Sequence, residues 1–153
     1  MDIFGAVLLI FMTVLSAYDI RIRKLPVVIL RAGIALALVR PALFFLLSGP
    51  SAEQQKLLTV ALLGALPGIT VTALSFISDK VGRGDGVVLI IMGMFENCSF
   101  VTLASCIACF SLAVFSGFLL ALHRVGRNSR MPFVPFLTGA YILLKLTGGR
   151  FGI

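Results

Sequence analysis

The sequence predicts an all-α fold: a single polytopic bundle of about six transmembrane helices spanning residues 1–153. Three observations predict it. Apolar residues make up 59% of the chain and charged ones only 12%, where a soluble domain carries about half and about a quarter. The mean hydropathy is +1.12. The apolar residues also fall into long runs divided by short polar segments, the pattern that a bilayer selects. Few charges with many Leu, Ile, Val and Phe exclude a disordered chain as well.

A crossing of about 30 Å of hydrocarbon needs about 20 apolar residues, fewer where the bilayer thins. Ile3 to Tyr18 is the first such run. Met1-Asp2 supplies no basic leader region and no small-residue cleavage site follows, so this run is expected to stay as a span. Val27 to Leu47 is the second, closed by the turn signal Ser48-Gly49-Pro50-Ser51. The third, Leu57 to Ser78, contains Pro67-Gly68, which is expected to kink it. From Gly86 to Leu122 the chain is apolar for 37 residues apart from Glu96-Asn97, too long for one pass. It must double back near Glu96 to Ser99, giving a short fourth helix, Gly86 to Phe95, and a long fifth ending at His123. Pro132 to Thr147 is the sixth.

The 13 Lys and Arg against 6 Asp and Glu leave a net charge of +7. Nucleic acid is not the expected partner, because the basic residues cluster between apolar runs, where lipid headgroups and membrane topology explain them. With the N-terminus outside, the cytoplasmic segments hold Arg21, Arg23, Lys24, Lys80, Arg83, Arg124, Arg127 and Arg130, against Lys56, Lys145 and Arg150 outside. An N-out, C-out arrangement follows.

That topology brings Asp19, where the first helix leaves the membrane, and Asp85, where the fourth enters it, to the cytoplasmic boundary. Ionisable groups at such positions are costly and mark sites. Asp85 at a helix start meets the positive end of the dipole and is also a plausible cap, whereas Asp19 at a helix end meets the negative end. If the two meet, they hold one proton between them and present a base and an acid to a water molecule. The alternative is two separate side chains, one capping a helix and one held by Arg21 and Arg23.

Glycines frame the second acid in Gly82-Arg83-Gly84-Asp85-Gly86. A phosphate cradle is excluded because G-x-x-x-x-G-K-[ST] and a flanking strand are both missing. Arg83-Gly84-Asp85 as an adhesion signal is excluded by its cytoplasmic position. Cys98, Cys106 and Cys109 share one apolar run, and Cys106-Ile-Ala-Cys109 lacks the further ligands that a zinc site requires, so all three are expected to be buried thiols filling helix contacts.

Three motifs then carry a family resemblance. Asp19-Ile20-Arg21-Ile22-Arg23-Lys24-Leu25-Pro26 resembles the D-x-R-x-x-x-I-P-N segment after the first helix of type IV prepilin and preflagellin peptidases. Gly82-Arg83-Gly84-Asp85 resembles their G-x-G-D, and Arg130-Met131-Pro132-Phe133-Val134-Pro135-Phe136-Leu137 resembles the Pro-Phe-Gly-Pro-Phe segment that opens their last helix. The three occur in the family's order and cover nearly the whole chain. Val27, Val87 and Val134 depart from the family's Asn, Lys and Gly. The two C-x-x-C pairs of the larger bacterial members have no counterpart, so the resemblance is to the minimal forms and does not carry over methyl transfer from S-adenosylmethionine.

The resemblance implies an aspartic endopeptidase of the inner (cytoplasmic) membrane, working without metal or cofactor. Asp19 and Asp85 would be catalytic; Gly82, Gly84, Arg21 and Pro26 would shape the loops or bind substrate. The partner would be a prepilin-like protein (a type IV or tight-adherence pilin, a pseudopilin or a preflagellin) cut at the cytoplasmic face, with membrane lipids around it. The valine departures keep open a lapsed relative that scaffolds pilus assembly, or a small proton-coupled carrier using the same acids. Of the other polar residues, Arg40 is expected to snorkel outward or to pair with Glu96. His123 is expected to complement a helix end, and Lys80 and Arg83 to act as topology signals.

Overall fold

A computed structural model describes residues 3–22, 26–48, 52–77, 82–122 and 131–151. Six helices form an all-α membrane bundle, with no strand among the described residues: α1 (Ile3–Ile22), α2 (Val27–Ser48), α3 (Ala52–Ile77), α4 (Arg83–Phe95), α5 (Cys98–Ala121) and α6 (Val134–Phe151). Each of the six predicted apolar runs forms a helix. The helices overrun several of the apolar runs because hydropathy marks the part in hydrocarbon, while the i→i−4 hydrogen bonds continue beyond it. Thus α1 extends to Ile22 and α3 begins at Ala52 rather than Leu57, whereas α5 ends at Ala121, before His123. At Pro67, where a kink was expected, α3 remains helical on both sides. Proline removes one amide from the ladder, and in a bundle that loss is tolerated where neighbours surround the freed carbonyl.

Within the described residues, three helices have the length and apolarity to cross a bilayer: Ile3–Ile22, Gln55–Ile77 and Cys98–Ala121. Each is ringed by exposed apolar side chains such as Ile10, Leu62 and Phe110, which suit hydrocarbon surroundings. Helix α4 differs. Its 13 residues give a rod of about 20 Å, and it is the most enclosed element: Val88, Leu89, Ile91 and Met92 are all buried. It packs against α1, α2, α3 and α5, while α6 lies against α1 and α5.

The α3–α4 contact is the closest in the bundle. Gly64 and Gly93 approach backbone to backbone, and a Cβ on either would overlap the other's carbonyl oxygen. One turn along, Gly68 lies against the Ile90 backbone, and further on Gly86 lies against Thr72. Lipid gives helices no hydrophobic reason to associate, so small residues that admit close backbone contact supply the attraction instead. Gly64-Ala65-Leu66-Pro67-Gly68 is a G-x-x-x-G motif, the sequence signal for this interface.

Candidate active site at one end of the bundle

Successive helices alternate in direction, so the last turns of α1, the first turn of α4 and the start of α6 share one end of the bundle. Asp19 lies within α1, three residues before its end, and is only 7% exposed. Its Oδ2 accepts a hydrogen bond of 3.1 Å from the backbone N–H of Val134, and the Phe133 amide is also directed at it. Val134 is the first residue of α6. Of the amides that a helix start leaves free, Pro135 has none and Phe136 N–H turns back to the Phe133 carbonyl at 3.1 Å. The Val134 amide therefore serves Asp19, which rests on the positive end of the α6 dipole. This corrects the expectation drawn from the α1 dipole alone: the unfavourable end of one helix is offset by the favourable end of another.

Asp85 stands in the first turn of α4 without acting as its cap. The cap residue is Gly82, which has no side chain to bond the free amides, and the Asp85 N–H donates to the Gly82 carbonyl at 3.1 Å. Among the described residues the half-buried Asp85 carboxylate accepts no hydrogen bond, and Asp19 lies within its electrostatic reach. An acid so placed is not a structural cap. Among the described residues the charge within its electrostatic reach is a like one, Asp19, an arrangement that functional sites favour.

Gly82 owes its identity to that carboxylate. Its φ of −67° is open to any residue, but a Cβ there would stand 2.6 Å from Asp85 Oδ2. Gly82→Ala is therefore expected to push the Asp85 side chain aside without unfolding the protein. Any activity that depends on Asp85 should fall about 100-fold, with the thermal midpoint nearly unchanged. A G82A protein of full activity would show that the carboxylate's position is not critical.

The remaining predicted site residues take different places. Gly84 is half-buried, the second residue of α4, and Arg21 is exposed in the last turn of α1. Pro26 stands immediately before α2, and its carbonyl accepts the Ile29 and Leu30 amides at 3.0 and 3.3 Å. Val27, where the resemblance expects Asn, is 60% exposed. Lys80, His123 and the loop cations Arg23, Lys24, Arg124, Arg127 and Arg130 lie outside the described residues, as do the side chains of Arg40 and Arg83. Glu96, for which the sequence offered Arg40, pairs with Lys145 at 2.7 Å. Two contributors went unforeseen: the Val134 amide, and Cys109 of α5, a free thiol within electrostatic reach of Asp85; the expectation of buried cysteines fails, since Cys106 and Cys109 are exposed on α5 and only Cys98 is half-buried. The sequence put the start of this helix at Pro132, two residues early, and gave no sign of which acid its first amides would serve.

Chemically, the site offers two carboxyl groups in different settings, one held by backbone amides and one free of hydrogen bonds among the described residues. Two carboxyl groups in such different settings, if they share a proton, hold it unequally, and an acid beside a base is the requirement for activating water. Comparison of the chain with family models, curated proteins and solved structures finds no match.

Proposed function

We propose that this chain is an aspartic endopeptidase of the cytoplasmic membrane that removes the leader from prepilin-like proteins. The observation that carries the reading is that Asp19 and Asp85 stand at the same end of the bundle within electrostatic reach of each other, with Asp85 free of hydrogen bonds among the described residues. The three motifs support it, because each supplies one part of that end: Asp19, the Gly82–Asp85 turn, and the Phe133–Val134 amides.

In this reading one carboxylate takes a proton from water as the oxygen attacks the scissile carbonyl carbon. The other, protonated, donates to the carbonyl oxygen and recovers that proton as the tetrahedral intermediate collapses, while the first carboxyl passes the proton it took from water to the departing amine nitrogen. The excess of Lys and Arg in the sequence segments at this end supports a cytoplasmic position for the site. A bond there lies between a soluble leader and the membrane-embedded helix of a pilin-like substrate. The open Val27 and half-buried Val87 change the polarity beside the site relative to the resembled family, which is expected to alter substrate preference.

The test is direct. The protein in lipid nanodiscs, incubated with a prepilin from the same source, is expected to yield two fragments whose masses sum to that of the substrate plus one water. An intact substrate mass after prolonged incubation would remove the proteolytic reading. Proton-dependent flux through vesicles under the same conditions would favour a carrier.

A further inference from the structure

A second polar cluster lies deeper in the bundle. Glu96 follows the last residue of α4 and Lys145 projects from α6; their side chains meet at 2.7 Å and are 14% and 32% exposed. The Tyr141 hydroxyl donates to Glu96 Oε1 at 3.1 Å, with the Gly5 carbonyl of α1 at 3.4 Å as a second acceptor. Lys145 Nζ stands 5.2 Å from the centre of the Phe100 ring, and Phe100 meets Tyr141 edge to face at 5.7 Å. Every charge in the cluster is therefore answered.

Its depth makes that necessary. With Asp85 at a membrane face, the α4 rod of about 20 Å ends inside a hydrocarbon layer of about 30 Å. The α4–α5 turn then falls where water does not reach its polar groups, and only internal partners satisfy them. Residues 134, 138, 141 and 145 share one face of α6, and along it run the Val134 amide, the Thr138 hydroxyl, Tyr141 and Lys145. Thr138 Oγ1 donates to the Val134 carbonyl at 2.9 Å and has the Met12 carbonyl of α1 at 3.3 Å.

The two clusters tie together the same helices. At one end Asp19 of α1 is joined to α6 and faces Asp85 of α4; at the other, Gly5 of α1 and Tyr141 and Lys145 of α6 meet Glu96 beyond α4. We infer that Glu96, Tyr141 and Lys145 are positioning residues: a clamp within the membrane that fixes the far end of α4 against α1 and α6 and so sets the separation of Asp19 from Asp85. A short rigid rod held at one end has its other end placed. The catalytic consequence rests on the proposed proteolysis, whereas the geometric one does not.

The experiment reads both. Full-length protein in nanodiscs, with Cys98, Cys106 and Cys109 replaced by Ala and with Asp19→Cys and Asp85→Cys introduced, is oxidised with copper phenanthroline. Bridging is followed as protection from a maleimide-polyethylene glycol reagent. Disulfide formation tolerates little change in Cβ separation, so Lys145→Met is expected to slow bridging about ten-fold. Tyr141→Phe, which keeps the ring and its packing, is expected to slow it about three-fold, and Lys145→Arg to restore the native rate. In parallel, in the protein with both aspartates and all three cysteines, Lys145→Met is expected to lower kcat for leader cleavage about 100-fold with KM little changed. Should the Lys145→Met protein not survive purification, Tyr141→Phe carries the comparison. Native bridging rates in Lys145→Met or Tyr141→Phe overturn the clamp. Rates that respond as expected, in a protein whose parent cleaves no prepilin, uphold the clamp and overturn the proteolysis. An Asp19→Cys, Asp85→Cys pair that never bridges overturns both.

Discussion

Asp85→Asn is expected to reduce leader cleavage by about three orders of magnitude or more while leaving the thermal unfolding midpoint unchanged or raised. The two halves of this expectation have one cause. Among the described residues the Asp85 carboxylate accepts no hydrogen bond, and it faces the like charge of Asp19. Asn has nearly the same shape, so removing the charge breaks no contact, relieves the repulsion and lessens the cost of holding an ionised group away from water. What it removes is the acid or base. Asp19→Asn is expected to abolish cleavage too, but with a different effect on stability. The Val134 amide loses a charge-assisted acceptor and retains a neutral one, costing about 1 kcal/mol. Thermal unfolding of both variants in detergent, alongside product mass, separates the roles. An Asp85→Asn protein that is clearly destabilised would mean that the carboxylate has a structural partner, and one that cleaves normally would end the mechanism.

The architecture was legible because hydropathy and length are bulk properties of a segment. Six apolar runs gave six helices, including the short α4, since a 37-residue stretch interrupted by Glu96-Asn97 has no other way to fit a bilayer. The placing of Asp19 and Asp85 at one end of the bundle was legible for a related reason: alternating helix direction assigns each helix end to one side, and both acids stand at ends on the same side. Which group faces which was not legible. Glu96 pairs with Lys145, and nothing in a charge count singles out one cation among those on different helices, because the pairing depends on helix rotation. Asp19 found its partner in a backbone amide, a donor that every non-proline residue carries and that no composition reveals. The α3–α4 glycine contact was visible as Gly64-x-x-x-Gly68, yet hydropathy treats glycine as nearly neutral and so passes over the residues that bring two helices closest.

That contact yields the second large effect, and it bears on the fold rather than on the chemistry. Gly93→Ala adds one methyl group where it would overlap the Gly64 carbonyl oxygen, a backbone atom that moves only if the whole of α3 moves. Overpacking of this kind costs about 1–3 kcal/mol, against a gain of at most about 1 kcal/mol from the better helix propensity of alanine. The net expectation is a lower thermal midpoint, with Gly93→Val lower still or unable to assemble. Two glycines supply the internal control. A Cβ at Gly117 of α5 or Gly139 of α6 meets nothing within 4 Å, so Gly117→Ala and Gly139→Ala are expected to leave the midpoint unchanged or raise it by the propensity gain alone. All four variants are read by thermal unfolding in the same detergent. Because α4 also carries Asp85, a forced separation from α3 displaces the carboxylate. Gly93→Ala is therefore expected to lose cleavage beyond what its folded fraction explains, while the two control variants keep theirs. If Gly93→Ala instead tracks Gly117→Ala in midpoint and rate, α3 and α4 are not in backbone contact and α4 is not held against α3 as described.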